Sequence, residues 1–313
     1  MKGLLSVILV LTFQSSFGQN YLGYYTQINQ ARLLAANSSF KQSALLYQRV
    51  FQEYDFEFAR DCINAFEVSS FMAHDTLTSF FIRCALKRGV PISYFSKSQK
   101  LEVFRTTSLW SSIVRDSTTL RKEYHSHINF KIRAEINEMF QADQAVRKQF
   151  YHWSNLLLRP FIGRKWEKLN HEQVKRIIEI TQEHGFPGEK LIGIDMPEHH
   201  EKIHARQFSA GMPIIILMHH YSQANESYDS VLFAEVFKGY LHNEHFAGIC
   251  DYEAEFGKGK HDNFGHYGLR HSPVKHAVGE FDRKREEIGL LSGSEIQILN
   301  NSDVMTKYWN WLK

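Results

Sequence analysis

Residues 213–221 read Pro213-Ile214-Ile215-Ile216-Leu217-Met218-His219-His220-Tyr221, and the fold class turns on this run. Its consecutive β-branched side chains would suit a buried strand. The same residues, continued through His219, His220 and Tyr221, also form a buried helix, and hydrophobic period alone does not separate the two. The helix is preferred and the strand is kept as the alternative. Upstream, Asp195 and Pro197 mark the opening of a further segment, with Asp as cap and Pro near the first turn, and Gly211 and Pro213 are expected to close it. Before that, Asn170 to His184 reads as a helix capped by Asn170, with Val174, Ile177, Ile178 and Thr181 inward and a stop at Gly185-Phe186-Pro187-Gly188. Downstream, a helix is expected over about Ser227 to Leu241, then a stretch from Asn243 to His276 rich in Gly and His, then a last helix from Val278 to Ile288.

The chain has 313 residues, of which 43% are hydrophobic and 14% aromatic. At roughly 100–200 residues per domain this suggests two domains, and it excludes wholesale disorder and collagen-like repeats. With 37 basic against 34 acidic residues the net charge is +3, too small for a protein that grips nucleic acid by charge alone. The N-terminus has Lys2, an apolar run from Leu4 to Phe13 and a small-polar tail through Gly18. That is the pattern of a secretory signal peptide over 1–18, cleaved after Gly18, and it predicts an exported protein, periplasmic or secreted, with no transmembrane segment after signal removal. Three cysteines, Cys62, Cys84 and Cys250, exclude a disulfide scaffold and leave at least one free thiol; two buried thiols are expected at Cys62 and Cys84, with one bridge between them as the alternative.

From Tyr24 to Gly89 the spacing predicts four short helices. Ile28, Ala31, Leu34 and Ala35 mark the first, and Phe40, Ala44, Tyr47 and Phe51 with small Ser43 mark the second. Phe58, Cys62 and Phe66 mark the third, and Leu77, Phe80, Phe81, Cys84 and Ala85 mark the fourth. Small residues at crossings with aromatics between them resemble tetratricopeptide-like repeats, with an ordinary helical bundle as the alternative. Ser96 to Asp116 reads as a connector containing a short helix, and about Thr118 to Trp153 as a long polar helix, continuous or interrupted, with one buried stripe. The expected division is thus a signal peptide over 1–18, repeat-like helices over 19–95, connecting helices over 96–153 and a mostly helical C-terminal domain over 154–313. The fold class is mainly α.

Met139, Asp143, Gln144 and Arg147 are followed by Asn170, Gly185-Phe186-Pro187, Gly193, His219-His220, Tyr267-Gly268, Phe281-Asp282, Arg285 and Ile288-Gly289-Leu290. In that order, over about half the chain, they resemble a bacterial family of exported proteins known as a domain of unknown function, often found behind helical repeats. The family's usual Gln before its His is His219 here, and its Gln before Tyr-Gly is His266. The resemblance implies a mostly helical fold and no particular reaction. Taken alone, Asp143 and Arg147, four apart, read as an exposed helix pair.

Three patterns bear on chemistry. His200-Glu201-Lys202-Ile203-His204 is an H-E-x-x-H, which on a helix places two imidazoles on one face to hold zinc while Glu201 activates a bound water. Glu226 or Glu235 would serve as the downstream ligand. The motif resembles the zinc-peptidase signature, but Gln207 and Ala210 replace its extended form, and Glu198, Lys202, Arg206 and Gln207 make the segment polar. Eleven of the 17 histidines lie between His199 and His276. From these His219, His220, His242 and His245 form an alternative metal set. The loop Phe256-Gly257-Lys258-Gly259-Lys260-His261 is cationic but lacks Walker spacing, and no Gly-x-Ser-x-Gly elbow occurs. The first expectation for function is therefore binding or scaffolding of a peptide or protein partner by the helical surface. The alternatives are a zinc-dependent hydrolase using His200, Glu201 and His204, and a non-catalytic metal binder.

Overall fold

The structure, a computed structural model, describes residues 19–72, 74–196, 208–223, 226–259, 265–269 and 278–302. Helices, short 3₁₀ turns and loops account for all of the described chain, and no strand occurs among these residues. The signal-peptide expectation over 1–18 lies outside them, as do His200, Glu201 and His204. No described helix is long and apolar enough to cross a membrane.

Four helices come first: α1 (Tyr21–Ala36), α2 (Phe40–Glu53), α3 (Ala59–Ser70) and α4 (Asp75–Lys87). They pair as the hairpins α1/α2 and α3/α4, as the spacing predicts. The Asn20 side chain accepts the Leu22 N–H and starts α1. Small side chains let α1 and α2 approach: Ala31, Ser43 and Ala44 are fully buried, and the Ser43 hydroxyl donates to the Ala31 carbonyl at 2.7 Å. Cys62, Cys84 and Cys250 are free thiols.

After the short α5 (Ile92–Ser96) come α6 (Ser108–His127) and α7 (Phe130–Tyr151), each opened by a capping side chain, Thr107 and Asn129. The long polar segment is thus two helices broken at Ile128-Asn129, and the first begins inside the stretch expected to be a connector. A 3₁₀ turn (Trp153–Leu158) links α7 to α8 (Arg159–His184). Asn170 is not a cap: α8 starts at Arg159 with Pro160 in its first turn, which puts Asn170 in mid-helix and fully buried. Gly185, at φ 89°, ends it as expected.

α9 (Glu189–Ile192) precedes the undescribed 197–207, and α10 (Met212–Tyr221) contains the apolar run from Pro213 to Tyr221. It is a helix. Pro213, expected to close the segment from Asp195, lies in the first turn of α10 and opens it; its fixed φ and missing N–H cost nothing there. α10 packs on α7, α8 and α12, and Ile216, Leu217, His220 and Tyr221 are buried. A helix apolar on nearly every side belongs inside a protein. α11 (Asp229–Phe237) falls within its expected range. α12 (Asn243–Phe256) occupies the Gly- and His-rich stretch for which no helix was expected, and the apolar positions Phe246, Ala247, Ile249 and Cys250 bury its inner face. α13 (Val278–Glu287) matches the last expected helix, and α14 (Gly293–Asn301) follows behind a Ser292/Glu295 capping box.

One continuous apolar core runs from Tyr21 to Ile288. Polar contacts cross it as well: the Tyr25 hydroxyl donates to the Leu241 carbonyl at 3.1 Å and Asn29 Nδ2 to the Gly289 carbonyl at 2.7 Å. A separate small cluster, Val146, Ile162 and Trp166, holds the far end of the α7/α8 hairpin.

Candidate functional site

Asp143 lies on the inner face of α7 with no exposed surface. A buried carboxylate is tolerated only when donors meet its oxygens. Trp166 Nε1 donates to Oδ1 at 2.7 Å and Gln144 Nε2 to Oδ2 at 2.8 Å. Asn170, one turn beyond Trp166 on α8, fits with its amide nitrogen toward the carboxylate, donating to Oδ1 at 3.0 Å. The fourth donor comes from α10, where His219 Nδ1 lies 2.9 Å from Oδ2. Three helices therefore converge on one carboxylate, and the exposed Asp143/Arg147 pair does not form. Spacing of four says that two side chains share a face, and here that face is buried at Asp143.

A carboxylate already accepting from three N–H groups takes the imidazole as a fourth donor, so the proton sits on Nδ1 and Nε2 is left as the basic atom of His219. His219 lines a cavity of about 580 Å³. Phe140, Phe150, Tyr151 and Trp166 give it aromatic walls, and Gln144, Arg147 and Lys258 bring donors to it. The Arg147 guanidinium lies 5.5 Å from the Tyr151 ring centre and forms no ion pair with a described residue. Glu244 and His245, at the start of α12, line the cavity on another side.

That side is tied to the N-terminal hairpins by charge, buried at Arg60 and half-buried at Glu244 and Arg32. Arg60 on α3 reaches Glu244 at 2.8 Å, and Arg32 on α1 reaches it at 3.3 Å. Burial acts to raise the Glu244 carboxyl, and the two guanidiniums overcome it, holding the group down to about 2. Burial, then the Arg60 cation, pushes the His245 imidazole down to about 3, which keeps it neutral. His242 caps α12 by accepting the Glu244 N–H, and its ring lies against the Arg60 guanidinium. Burial and Arg60 push it well below the ordinary imidazole range.

The residues proposed from sequence are dispersed. His219 is at the cavity, whereas His220, its neighbour, is buried on another side of α10 with its ring 6.0 Å from that of His171 and Nε2 unpartnered among the described residues. His242 and His245 have ring centres 5.5 Å apart. Glu226 pairs with His171 Nδ1 at 3.3 Å near the surface. Glu235 is buried, accepting the Phe186 N–H at 3.0 Å and Lys238 Nζ at 2.7 Å. No three His, Cys, Asp or Glu side chains among the described residues gather as a metal-holding group. Asp143, Gln144, Arg147, Asn170 and His219, from three separate stretches of the sequence, meet at this one place. Trp166 was missed; its N–H on Asp143 has no signature in sequence spacing. No family model, curated protein or solved structure matches the chain.

Proposed function

We propose that the protein binds a small organic anion with an aromatic or apolar body in the Asp143/His219 cavity, and that His219 exchanges a proton with it. The observation that carries this reading is the His219 Nδ1 to Asp143 contact of 2.9 Å at the cavity wall. A buried carboxylate behind an imidazole fixes its tautomer and supports the imidazolium that forms when Nε2 takes a proton. Aromatic walls supply apolar area, and Arg147 supplies a planar donor for a carboxylate or phosphate. A peptide ending in a carboxylate has the same chemistry, which keeps the expected peptide partner within this class.

Calorimetric titration with phenylacetate, phenyl phosphate and a short peptide ending in Phe separates the sources. The expected result is saturable binding by at least one of them, weakened about tenfold or more by R147M, the loss of one charge-assisted contact. H219N, which removes the basic Nε2, should weaken binding by a similar factor. Absence of binding by all three probes, or binding indifferent to both substitutions, contradicts the reading. Elemental analysis of protein purified without an affinity tag tests the metal readings separately. One zinc per chain lost in H200A/H204A would favour the hydrolase, and metal lost instead in H219A/H220A would favour the non-catalytic binder.

A further inference from the structure

The connection between α7 and α8 carries an apolar surface of which only Tyr151 also lines the cavity. Leu157 is 95% exposed, Trp153 77% and Phe161 73%, with Tyr151, Leu156 and Leu158 each more than half exposed. Isolated apolar side chains on a surface are ordinary, but six large ones within eleven consecutive positions, 151–161, form a patch that water penalises. The 3₁₀ turn bearing most of them packs chiefly on the two helices it joins. The end of this hairpin has its own small cluster, Val146, Ile162 and Trp166, so it is held in shape without being covered by the main core.

Charge identifies the partner. Between residues 147 and 168 stand Arg147, Lys148, Arg159, Arg164, Lys165 and Lys168 against one carboxylate, Glu167. Lys148, Arg164, Lys165 and Lys168 are exposed, on the helical turns that flank the apolar end. The whole chain is nearly neutral at +3, so this concentration is local. An apolar tip with amphipathic Tyr151 and Trp153 rings and a collar of cations has the layering of a lipid surface: acyl chains, interface, then anionic headgroups. A protein partner would have to offer an apolar pocket for the leucines and acidic residues around it, a more particular demand than the same physics makes of a bilayer.

We propose that the α7/α8 tip docks the protein on an anionic lipid bilayer, Trp153, Leu157 and Phe161 entering the interface and Lys148, Arg164 and Lys165 meeting the headgroups. Phe150, Tyr151, Gly163 and Trp166 belong to this hairpin end and also line the cavity, so docking would bring the cavity close to the membrane surface. The docking itself does not require the proposed ligand.

The test is flotation of the chain from Gln19, where the described fold begins, with vesicles of equimolar phosphatidylglycerol and phosphatidylcholine and with phosphatidylcholine alone. Binding to the anionic vesicles should be about tenfold or more tighter, and should weaken as salt is raised. L157S/F161S should lower it by about tenfold or more through lost apolar burial, and R164E/K165E by a similar factor through charge. These side chains are exposed, and far-UV circular dichroism should match the unsubstituted protein. V103S, which removes another exposed apolar side chain, 82% open, should bind unchanged. No binding to anionic vesicles, or binding the tip variants leave intact, overturns the proposal. So does concentration-dependent self-association that L157S/F161S abolishes while no vesicle binding is seen, which would assign the face to a second copy of the chain.

Discussion

Glu189 shows at the residue scale how burial turns a side chain into a pH-dependent contribution to stability. Its carboxylate is buried and accepts the Ala59 N–H at 2.9 Å. Burial raises the group from 4.5 to about 7, against the pull of that N–H and of Arg60. The folded chain therefore holds this proton more tightly than the unfolded chain. Between about pH 4.5 and 7 the native state binds more protons, so this residue lowers stability as pH rises through that window, by about 1.4 kcal/mol per pH unit at most. Gln keeps the acceptor and removes the titration. The stability of E189Q relative to the unsubstituted protein should grow from pH 4.5 to 7 and level off above it, as measured by urea unfolding at successive pH values. Glu244 and His245, whose shifts give stability that is lost as pH falls, are present in both proteins and cancel in the difference. A difference independent of pH would show that Glu189 is not held protonated by burial.

At the scale of elements, α10 is where sequence and structure can be compared most closely. Leu217 is fully buried, and Leu217→Ala should cost about 2–5 kcal/mol, read as a lower urea midpoint with an unchanged slope. The helical character of this run was legible, but its polarity of direction was not: Pro213 fits both a stop and a first turn, and only the packed neighbours decide. α8 was shortened in the sequence reading because its first half buries only Ile162, Trp166 and Asn170, and the last two are buried against Asp143 through hydrogen bonds to its carboxylate. Hydrophobic period cannot register a face that is buried through hydrogen bonds. The same blind spot concealed the site. Asp143 looked like half of a surface pair, and His219, His220, His242 and His245 were an alternative metal set, whereas these four divide among a cavity wall, a helix cap and buried packing. α12 escaped notice because Gly and His dilute an apolar stripe that is nonetheless complete at Phe246, Ile249 and Cys250.

For the whole molecule, the shared core has consequences for cooperativity. Gly239, between α11 and α12, has φ 72°, and a Cβ there would meet the Tyr21 ring of α1 at 2.6 Å. Gly239→Ala should therefore destabilise by about 2 kcal/mol or more, through backbone strain added to the clash. Because Tyr21 belongs to the first hairpin and Gly239 to the C-terminal helices, the damage should lower a single transition seen alike by far-UV circular dichroism and by tryptophan fluorescence. Two separated transitions, only one of them shifted, would contradict a common core. The cavity depends on the same union, since Arg60 and Arg32 from the hairpins hold Glu244 at its edge.

The arrangement on which the functional reading stands is the pairing of Asp143 with His219, and nitrogen NMR of protein labelled in its histidine rings observes it directly. The account predicts that neutral His219 carries its proton on Nδ1 and that Asp143→Asn, which removes the carboxylate acceptor, shifts this resonance pattern toward the other tautomer or an exchanging mixture. A neutral His219 protonated on Nε2, or a spectrum that Asp143→Asn leaves unchanged, would contradict it.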